Sequence, residues 1–297
     1  MQGNLRRYDD PMSFTVSGED LRRALAAWQG RAKPSTIPTP RYLCRVQSWG
    51  EGPPLVILHG MSDVPVSFCM MVEHLASHFR CHVIELASGD RDHCRYRAYR
   101  HHHHVDDLLA VIDALKLDSI NLFGSSFGST VSLRFAASHP SRVNRLILQG
   151  GFPRRPLNRF ERGLARLARY WPGKMKDLFI RPRVMAQFDR PQFAAADPAI
   201  YDFFLQCSGE TPIQCAARRG LMLNELDLRP LLPSIRTPTL MIGGDRDGLV
   251  PRWCEAELEH SLPMVHRVEF ANCGHYPQYT HPRETADAII DAGGRPG

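Results

Sequence analysis

Apolar and polar positions along the chain follow two spacings, and the alternation between them predicts the fold. Between residues 41 and 49, apolar positions alternate with polar ones, as in a half-buried strand. Short apolar runs of the length of buried strands lie at 55–58, 81–86, 143–148, 237–243 and 265–270. Helix-like spacing appears at 68–79, 106–115 and 282–290. Strands that alternate with helices in this way predict an α/β protein with a mostly parallel sheet and helices on both faces.

The alternation of strands and helices is interrupted by one segment without strands, and the first forty residues show a different pattern. From residue 152 to about 228 the chain shows only helical segments, which predicts an all-helical insertion in the sheet domain. Near the start, Ser17 can cap a helix that carries Leu21, Leu25 and Trp28 on one face. We therefore expect a helical extension at 1–40, an α/β core at 41–152 and 229–297, and a helical cap at 153–228.

The stretch 120–137, INLFGSSFGSTVSLRFAA, passes from a short apolar run through two glycines into helical spacing. It predicts a strand, a very tight turn and a helix, with Ser126 on the turn between Gly124 and Gly128. A serine on such a strained turn projects its hydroxyl group, and the glycines let strand and helix approach closely. The backbone N–H groups at the start of a helix suit a developing oxyanion. A tight turn with no chemistry is the alternative.

A nucleophilic serine needs a base and an acid that orients the base, and candidates for both follow later strands. Asp245 and Asp247 come directly after the strand at 237–243, and His275 follows the strand at 265–270. Because successive parallel strands end at one edge of the sheet, these loops should meet there. Asp245 and Asp247 remain alternatives for the acid, and His281 is a competitor of His275.

Four motifs together resemble the α/β-hydrolase family, in its form with a helical cap. They are LVILHGM (55–61), LFGSSFG (122–128), GGDRDGLVP (243–251) and NCGHYPQ (272–278), in the order of the family. The resemblance implies that Ser126 is the nucleophile, His275 the general base and Asp247 the acid. It also implies that the backbone N–H groups of Met61 and Phe127 form the oxyanion hole. Residues 87–104 depart from the family pattern.

The resemblance implies a serine hydrolase that needs no cofactor and no metal. The expected substrate is a carboxylic ester of a small or medium acyl group, cleaved through an acyl-enzyme on Ser126. The same three residues also serve C–C, amide or thioester cleavage and acyl transfer, which stay open. A catalytically silent receptor that uses the same pocket is the alternative outside enzymes. Epoxide and haloalkane hydrolases are disfavoured, because in this family they carry an aspartate at the position of Ser126.

Composition indicates the class of protein and the compartment in which it is expected. The chain has 297 residues, of which 43% are hydrophobic, so a sizeable core is expected. We see no apolar run that could span a membrane and no export signal, and the eight cysteines form no C-x-x-C pair. These features favour a cytoplasmic protein with reduced cysteines, no integral membrane segment and no nucleic-acid partner.

Two charged stretches have both a functional and a structural interpretation. Four consecutive histidines, His101 to His104, suggest a metal site, but on a helix they point in four directions, so a solvated helix start is favoured. Residues 154–190 hold eleven Lys or Arg against three acids. The pattern there predicts a helix with an apolar stripe from Leu157 to Trp171, buried against the protein, and arginines left in water. The functional alternative is a lid that faces an anionic or interfacial substrate.

Overall fold

A sheet of nine strands crosses the part of the chain that the structure describes, and helices cover both of its faces. This computed structural model describes residues 5–8, 16–90, 92, 94–194 and 196–293. The strands are β1 (Leu5–Tyr8), β2 (Lys33–Pro38), β3 (Leu43–Trp49), β4 (Pro54–Leu58), β5 (Arg80–Ile84), β6 (Ile120–Ser125), β7 (Val143–Gln149), β8 (Thr239–Gly244) and β9 (Val265–Phe270). The helices are α1 (Gly18–Arg31), α2 (Cys69–Leu75), α3 (His101–Ala114), α4 (Phe127–Ser138), α5 (Arg159–Ala168), α6 (Arg181–Phe188), α7 (Pro198–Gly209), α8 (Ile213–Glu225), α9 (Arg252–Ser261), α10 (Pro277–Thr280) and α11 (Pro282–Gly293). Over the described residues, none of these helices has the length and apolar character needed to cross a membrane.

The strand order across the sheet is β1-β9-β8-β7-β6-β4-β5-β3-β2. Strands β4 to β9 and β1 pair in parallel, whereas β3 runs antiparallel to β5, and β2 antiparallel to β3. The predicted α/β fold with a mostly parallel sheet is confirmed. Since parallel strands end at the same edge, the loops after β4, β6, β8 and β9 come together there.

Alternate residues of the central strands fill two separate cores. On β4, Leu55 and Ile57 belong to one hydrophobic cluster, and Val56 and Leu58 belong to the other. This follows from the period of two in a strand, and it explains why the central strands read as continuous apolar runs rather than alternating ones. Among the described residues all eight cysteines are unpaired, and seven of them are buried in these cores or next to them.

The first forty residues do more than form a helical extension. As predicted, Ser17 caps α1 in a capping box with Asp20, and Leu21 and Trp28 are buried. However, β2 pairs with β3 and β1 pairs with β9, so the sheet extends into residues predicted to lie outside it. In β2 only Ile37 is buried, and two prolines are accommodated because this is an edge strand. That is why no alternating pattern marked it. Residues 1–4 and 9–15 of the predicted extension, and 294–297, lie outside the described residues.

The segment between β7 and β8 is a helical insertion, as the sequence predicts. It contains α5 to α8, together with short 3-10 turns and a single isolated bridge between Lys174 and Pro212 in the described chain. The burial predicted for α5 is wrong: no residue of α5 is buried, and Phe160 and Leu167 are exposed. Helix α5 packs on α8 through another side, on which Ala165 and Ala168 are half-buried. The helix is amphipathic as expected, but its small residues face the protein.

Candidate active site

Ser126 occupies the sharp turn between β6 and α4 with a strained backbone. Its φ of 48° and ψ of −111° are unfavourable for a residue with a side chain. The strain is held by a backbone hydrogen bond of 2.8 Å, in which the N–H of Ser126 donates to the carbonyl oxygen of Gln149. A Cβ on Gly128 would lie 2.6 Å from the carbonyl oxygen of Leu58, so only glycine lets α4 approach β4 this closely. The turn therefore has the strained geometry expected for a nucleophile elbow.

Asp247 and His275 are brought together across the ends of β8 and β9. The Nδ1 of His275 lies 2.6 Å from Oδ2 of Asp247, and both side chains are buried. The other carboxylate oxygen, Oδ1, accepts hydrogen bonds from the backbone N–H groups of Leu249 (2.8 Å) and Val250 (2.9 Å). The carboxylate is thus fixed from two sides, and it can hold the imidazole in the tautomer that leaves Nε2 as the acceptor.

The electrostatics of this pair favour the charged forms. Burial by itself would lower the pKa of His275, but the Asp247 carboxylate outweighs it, and the pKa of His275 is raised. Burial would likewise raise the pKa of Asp247, yet the His275 ring and the two backbone donors hold that pKa below its ordinary value. A base with a raised pKa next to an ionised carboxylate suits general base catalysis near neutral pH.

The two competing residues have other contacts. The Oδ1 of Asp245 accepts a hydrogen bond of 3.1 Å from the backbone N–H of Cys273, so Asp245 anchors the loop that carries His275. His281 stacks on Phe270 and lies 2.9 Å from the hydroxyl oxygen of Thr280. Of the residues that the sequence left as alternatives, the structure brings Asp247 and His275 together.

The backbone at the end of β7 connects His275 to Ser126. Gly150 has a φ of 53°, and a Cβ there would lie 2.7 Å from Cε1 of His275, so the ring lies against this residue. The preceding residue, Gln149, supplies the carbonyl that holds Ser126, and its Nε2 donates to the carbonyl oxygen of His275 at 3.4 Å. The imidazole and the serine are therefore both held by the same two residues, Gln149 and Gly150.

The turn after β4 also lies next to Ser126. A Cβ on Gly60 would lie 3.6 Å from Cβ of Ser126, so this turn passes beside the serine. His59 holds the turn: its Nε2 accepts a hydrogen bond from the N–H of Leu86 (3.0 Å), and its Nδ1 donates to the carbonyl of Gly60 (2.8 Å). Burial, with the charge of Arg219, lowers the pKa of His59 to about 3, which keeps the ring neutral. Met61 follows directly, and Phe127 begins α4 directly after Ser126.

Comparison with known proteins shows the family of the chain. Residues 53–282 match the family described as the alpha/beta hydrolase fold. The chain belongs to the alpha/beta hydrolase family. The resemblance inferred from the four motifs is thereby confirmed.

Relatives of this hydrolase include a protein named for its superfamily and an esterase. This chain is 28% identical over 254 residues to the AB hydrolase superfamily protein YisY of Bacillus subtilis. The matched region covers 82% of this chain and 92% of the relative. This chain is also 30% identical over 284 residues to the pimeloyl-(acyl-carrier protein) methyl ester esterase of Shewanella sp. (strain MR-7). That match covers 86% of this chain and 96% of the relative. Among solved structures, the thermophilic esterase from Thermogutta terrifontis matches with a TM-score of 0.76 at 22% identity, over 88% of this chain and 97% of that one. The prediction of an esterase-like hydrolase agrees with these relatives.

Two residues of the helical insertion touch the site and were missed by sequence analysis. The Oε1 of Gln192 accepts a hydrogen bond of 2.7 Å from the backbone N–H of His275. Arg219 on α8 is fully buried, and its guanidinium donates to the carbonyl oxygens of Met61 (2.5 Å), Leu86 (3.3 Å) and Ala87 (3.1 Å). Its Cζ also lies 5.5 Å from the ring centroid of Phe127. The only signal in the sequence was an arginine among the apolar positions of a helix.

The prediction that the histidines at the start of α3 are solvated is wrong for His101 and His104. His102 is exposed, but His101 and His104 are buried and pack edge-on against Phe127, with ring centroids 5.9 Å and 5.2 Å away. The Nε2 of His101 lies 2.9 Å from the hydroxyl oxygen of Thr130. Burial, with the charge of Arg134, lowers the pKa of His101 to about 3, so the ring is neutral. Residues i and i+3 of a helix share a face, which explains why the first and fourth histidines turn inward together. Over the described residues, no three His, Cys, Asp or Glu side chains are grouped as a metal site requires.

A cavity of about 720 Å³ lies between the loop after β5 and the helical insertion. Its lining includes Gly89, Tyr96, Lys174 and Arg218, from the two segments that depart most from the family pattern. A second cavity of about 180 Å³ lies beside the turn after β4 and is lined in part by His59, Asp63 and Arg219. Residues of the insertion thus line the space next to the HGM motif (59–61) of the core.

Proposed function

We propose that this hydrolase cleaves a carboxylic ester of a small or medium acyl group through an acyl-enzyme on Ser126. The observation that carries the proposal is the 2.6 Å contact between Nδ1 of His275 and Oδ2 of Asp247, with Asp247 fixed by two backbone donors. This contact leaves Nε2 of His275 as the proton acceptor, beside the backbone that holds Ser126.

In the first half of the reaction, Nε2 of His275 takes the proton of the Ser126 hydroxyl while Oγ attacks the ester carbonyl carbon. The carbonyl oxygen becomes an oxyanion, and the backbone N–H groups of Met61 and Phe127 stabilise it as hydrogen-bond donors. Collapse of this intermediate expels the alkoxide, which takes the proton from His275. In the second half, His275 removes a proton from water, the hydroxide attacks the acyl-enzyme, and Ser126 leaves with the proton restored. No cofactor takes part.

The names of the relatives support the reaction class. A relative that is 30% identical is named as a methyl ester esterase. The cavity of about 720 Å³ between the loop after β5 and the insertion is of a size typical of small-molecule sites, but Ser126, Asp247 and His275 are not among its lining residues.

The test combines covalent labelling with a substrate panel. A fluorophosphonate should label the purified protein once, and Ser126→Ala should abolish both the labelling and the hydrolysis of p-nitrophenyl esters. The loss in kcat should be on the order of 10³-fold or more. Ser138→Ala, at the other end of α4, is the matched control and should keep labelling. Graded ester chain lengths, run beside an amide, a thioester and a C–C substrate, test the reaction class.

Three outcomes would overturn the proposal in different ways. Labelling that persists in Ser126→Ala would reject the nucleophile. Labelling without turnover of any ester, but with turnover of one of the other substrates, would reject the ester. An unlabelled protein that still binds small esters would be a receptor.

A further inference from the structure

The outer side of the helical insertion exposes an unusual concentration of apolar side chains. Of the twelve large hydrophobic residues that are exposed in the described part of the chain, nine lie between residues 160 and 188. They are Phe160, Leu164, Leu167, Tyr170, Trp171, Phe179, Ile180, Val184 and Phe188. The exposed fraction reaches 79% for Phe160 and 92% for Phe179. Large exposed apolar patches on a folded protein mark an interaction site.

The orientation of α5 is a consequence of how it packs. Phe160, Leu164 and Leu167 recur at helical spacing and form one exposed face, whereas the half-buried positions are Glu161, Arg162, Ala165 and Ala168. The small side chains let α5 lie close on α8. Because that contact uses the alanine side, the apolar face is turned outward along its whole length.

The charges next to this face are positive and unpaired. Arg159, Arg162 and Arg166 lie together on α5 and make no ion pair or side-chain hydrogen bond with any described residue. The three acids between residues 154 and 190 are already engaged, in contacts made by Glu161 with Asn158 and Arg155, Asp177 with Lys174, and Asp189 with Tyr276. The free charge beside the apolar face is therefore positive. We call the exposed surface that these nine apolar residues and three arginines contribute to the insertion the outer insertion face.

We propose that the outer insertion face docks on the surface of a bilayer that contains anionic phospholipid. A helix with Phe, Leu and Trp on one side and arginines on the other lies in the plane of the bilayer interface. The rings of Tyr170 and Trp171 suit the depth of the headgroups, and the arginines pair with lipid phosphates. A contact between two copies is less favourable, since a twofold interface would set the same arginines against each other with no free acid to pair.

The experiment is flotation of the full purified chain with vesicles, and it does not depend on catalysis. We expect binding to vesicles of phosphatidylcholine mixed with phosphatidylglycerol, weaker binding to phosphatidylcholine alone, and a loss of that difference at high salt. Phe160→Ser, Leu167→Ser, Trp171→Ser and Phe179→Ser, combined in one protein, should abolish binding to both. Arg159→Gln, Arg162→Gln and Arg166→Gln should lower the affinity for the anionic vesicles at least about 10-fold, as each basic residue at such a surface contributes roughly 5-fold.

A matched control uses two exposed apolar residues elsewhere in the fold. Trp253→Ser with Met264→Ser, 47% and 46% exposed, should float as the unaltered protein does. Circular dichroism melting verifies that every variant is folded. The proposal is overturned if the chain does not float, or if the apolar variant floats as well as the control. It is also overturned if sedimentation shows a dimer that the apolar variant loses while no vesicle is bound, because the face then joins two copies.

Discussion

The Nη1 of Arg219 donates a hydrogen bond of 2.5 Å to the carbonyl oxygen of Met61. A side chain of the helical insertion thereby holds the residue whose own N–H is one of the two proposed oxyanion donors. The same guanidinium lies over Phe127, the residue of the second proposed donor. A planar fork with several donors can satisfy three carbonyls at once, which a lysine cannot do in the same geometry. The insertion therefore contributes to the core of the site as well as to its entrance.

Replacing this arginine tests whether it positions the turn. Arg219→Lys keeps a positive charge but loses the fork, and we expect kcat to fall roughly 10-fold or more with a smaller change in KM, since loss of an oxyanion donor costs about 10²- to 10³-fold. Binding of a boronic acid that mimics the tetrahedral intermediate should weaken in parallel with kcat. Arg236→Gln, at an exposed position outside the site and its cavities, is the control and should leave both values nearly unchanged. An unaltered kcat in a folded Arg219→Lys would reject the positioning role.

Arg219→Met should in addition destabilise the fold. It leaves the carbonyls of Met61, Leu86 and Ala87 without this donor in the interior. An unsatisfied buried polar group costs about 1–3 kcal/mol. Denaturant unfolding should therefore show a lower free energy of unfolding than for Arg219→Lys, and equal stability of the two variants would contradict this account.

The choice between the two aspartates gives a second prediction. Asp247→Asn should leave His275 without its ionised partner and reduce kcat by on the order of 10³-fold or more, because the imidazole then takes the wrong tautomer. Asp245→Asn should cost much less, since Asp245 accepts one backbone hydrogen bond from Cys273 and does not touch the imidazole in the structure. Steady-state kinetics on the same ester compare the two. The reverse ranking would show that the acid was wrongly assigned.

The raised pKa of His275 predicts the pH dependence of the reaction. In the proposed mechanism the neutral imidazole is the base, so activity should be lost as pH falls through the pKa of His275. Because Asp247 raises that pKa above the ordinary histidine value of about 6.5, the acid limb of kcat/KM should lie above pH 6.5. In Asp247→Asn, the acid limb of the residual kcat/KM should move to lower pH, because the carboxylate that raises the pKa of His275 is gone. A limb that stays in place would assign the titration to another group.

The buried histidines of α3 predict a loss of stability in acid. The pKa of His101 is about 3 in the folded protein and about 6.5 in an unfolded chain, so between these values the unfolded state binds one more proton. Stability from this residue is present above pH 6.5 and falls as pH drops, by about 1.4 kcal/mol per pH unit. Burial, with the charge of Arg219, lowers the pKa of His104 in the same direction.

His101→Gln with His104→Gln should therefore flatten the fall in free energy of unfolding between pH 6.5 and pH 5, measured by urea titration. The exposed His102→Gln is the matched control and should keep the slope of the unaltered protein. If the double variant and the control have equal slopes, protonation of these two rings does not cause the loss of stability in acid.

Local patterns were enough to predict strands β3 to β9 and the elbow, but not β1 and β2. A strand repeats its environment every two residues and a helix every 3.6, so the runs at 55–58 and 143–148 and the glycines around Ser126 carry their structure within a few positions. The identity of the acid was less determined, because Asp245 and Asp247 are two residues apart on the same loop. Which carboxylate meets His275, 28 positions away from Asp247, depends on how the β8 and β9 loops fold against each other.

The two site residues that sequence analysis missed both act through contacts between distant positions. Arg219 meets Met61 across 158 positions, and Gln192 meets His275 across 83. No repeat or spacing in the chain records such pairs. The composition of α5 and of the histidine run made both segments amphipathic, but it did not specify which side would be covered. Packing decided that: α5 lies on α8 through its alanines, and α3 turns His101 and His104 onto Phe127, because burial depends on the shape of the neighbouring surface and not on the period of the helix alone.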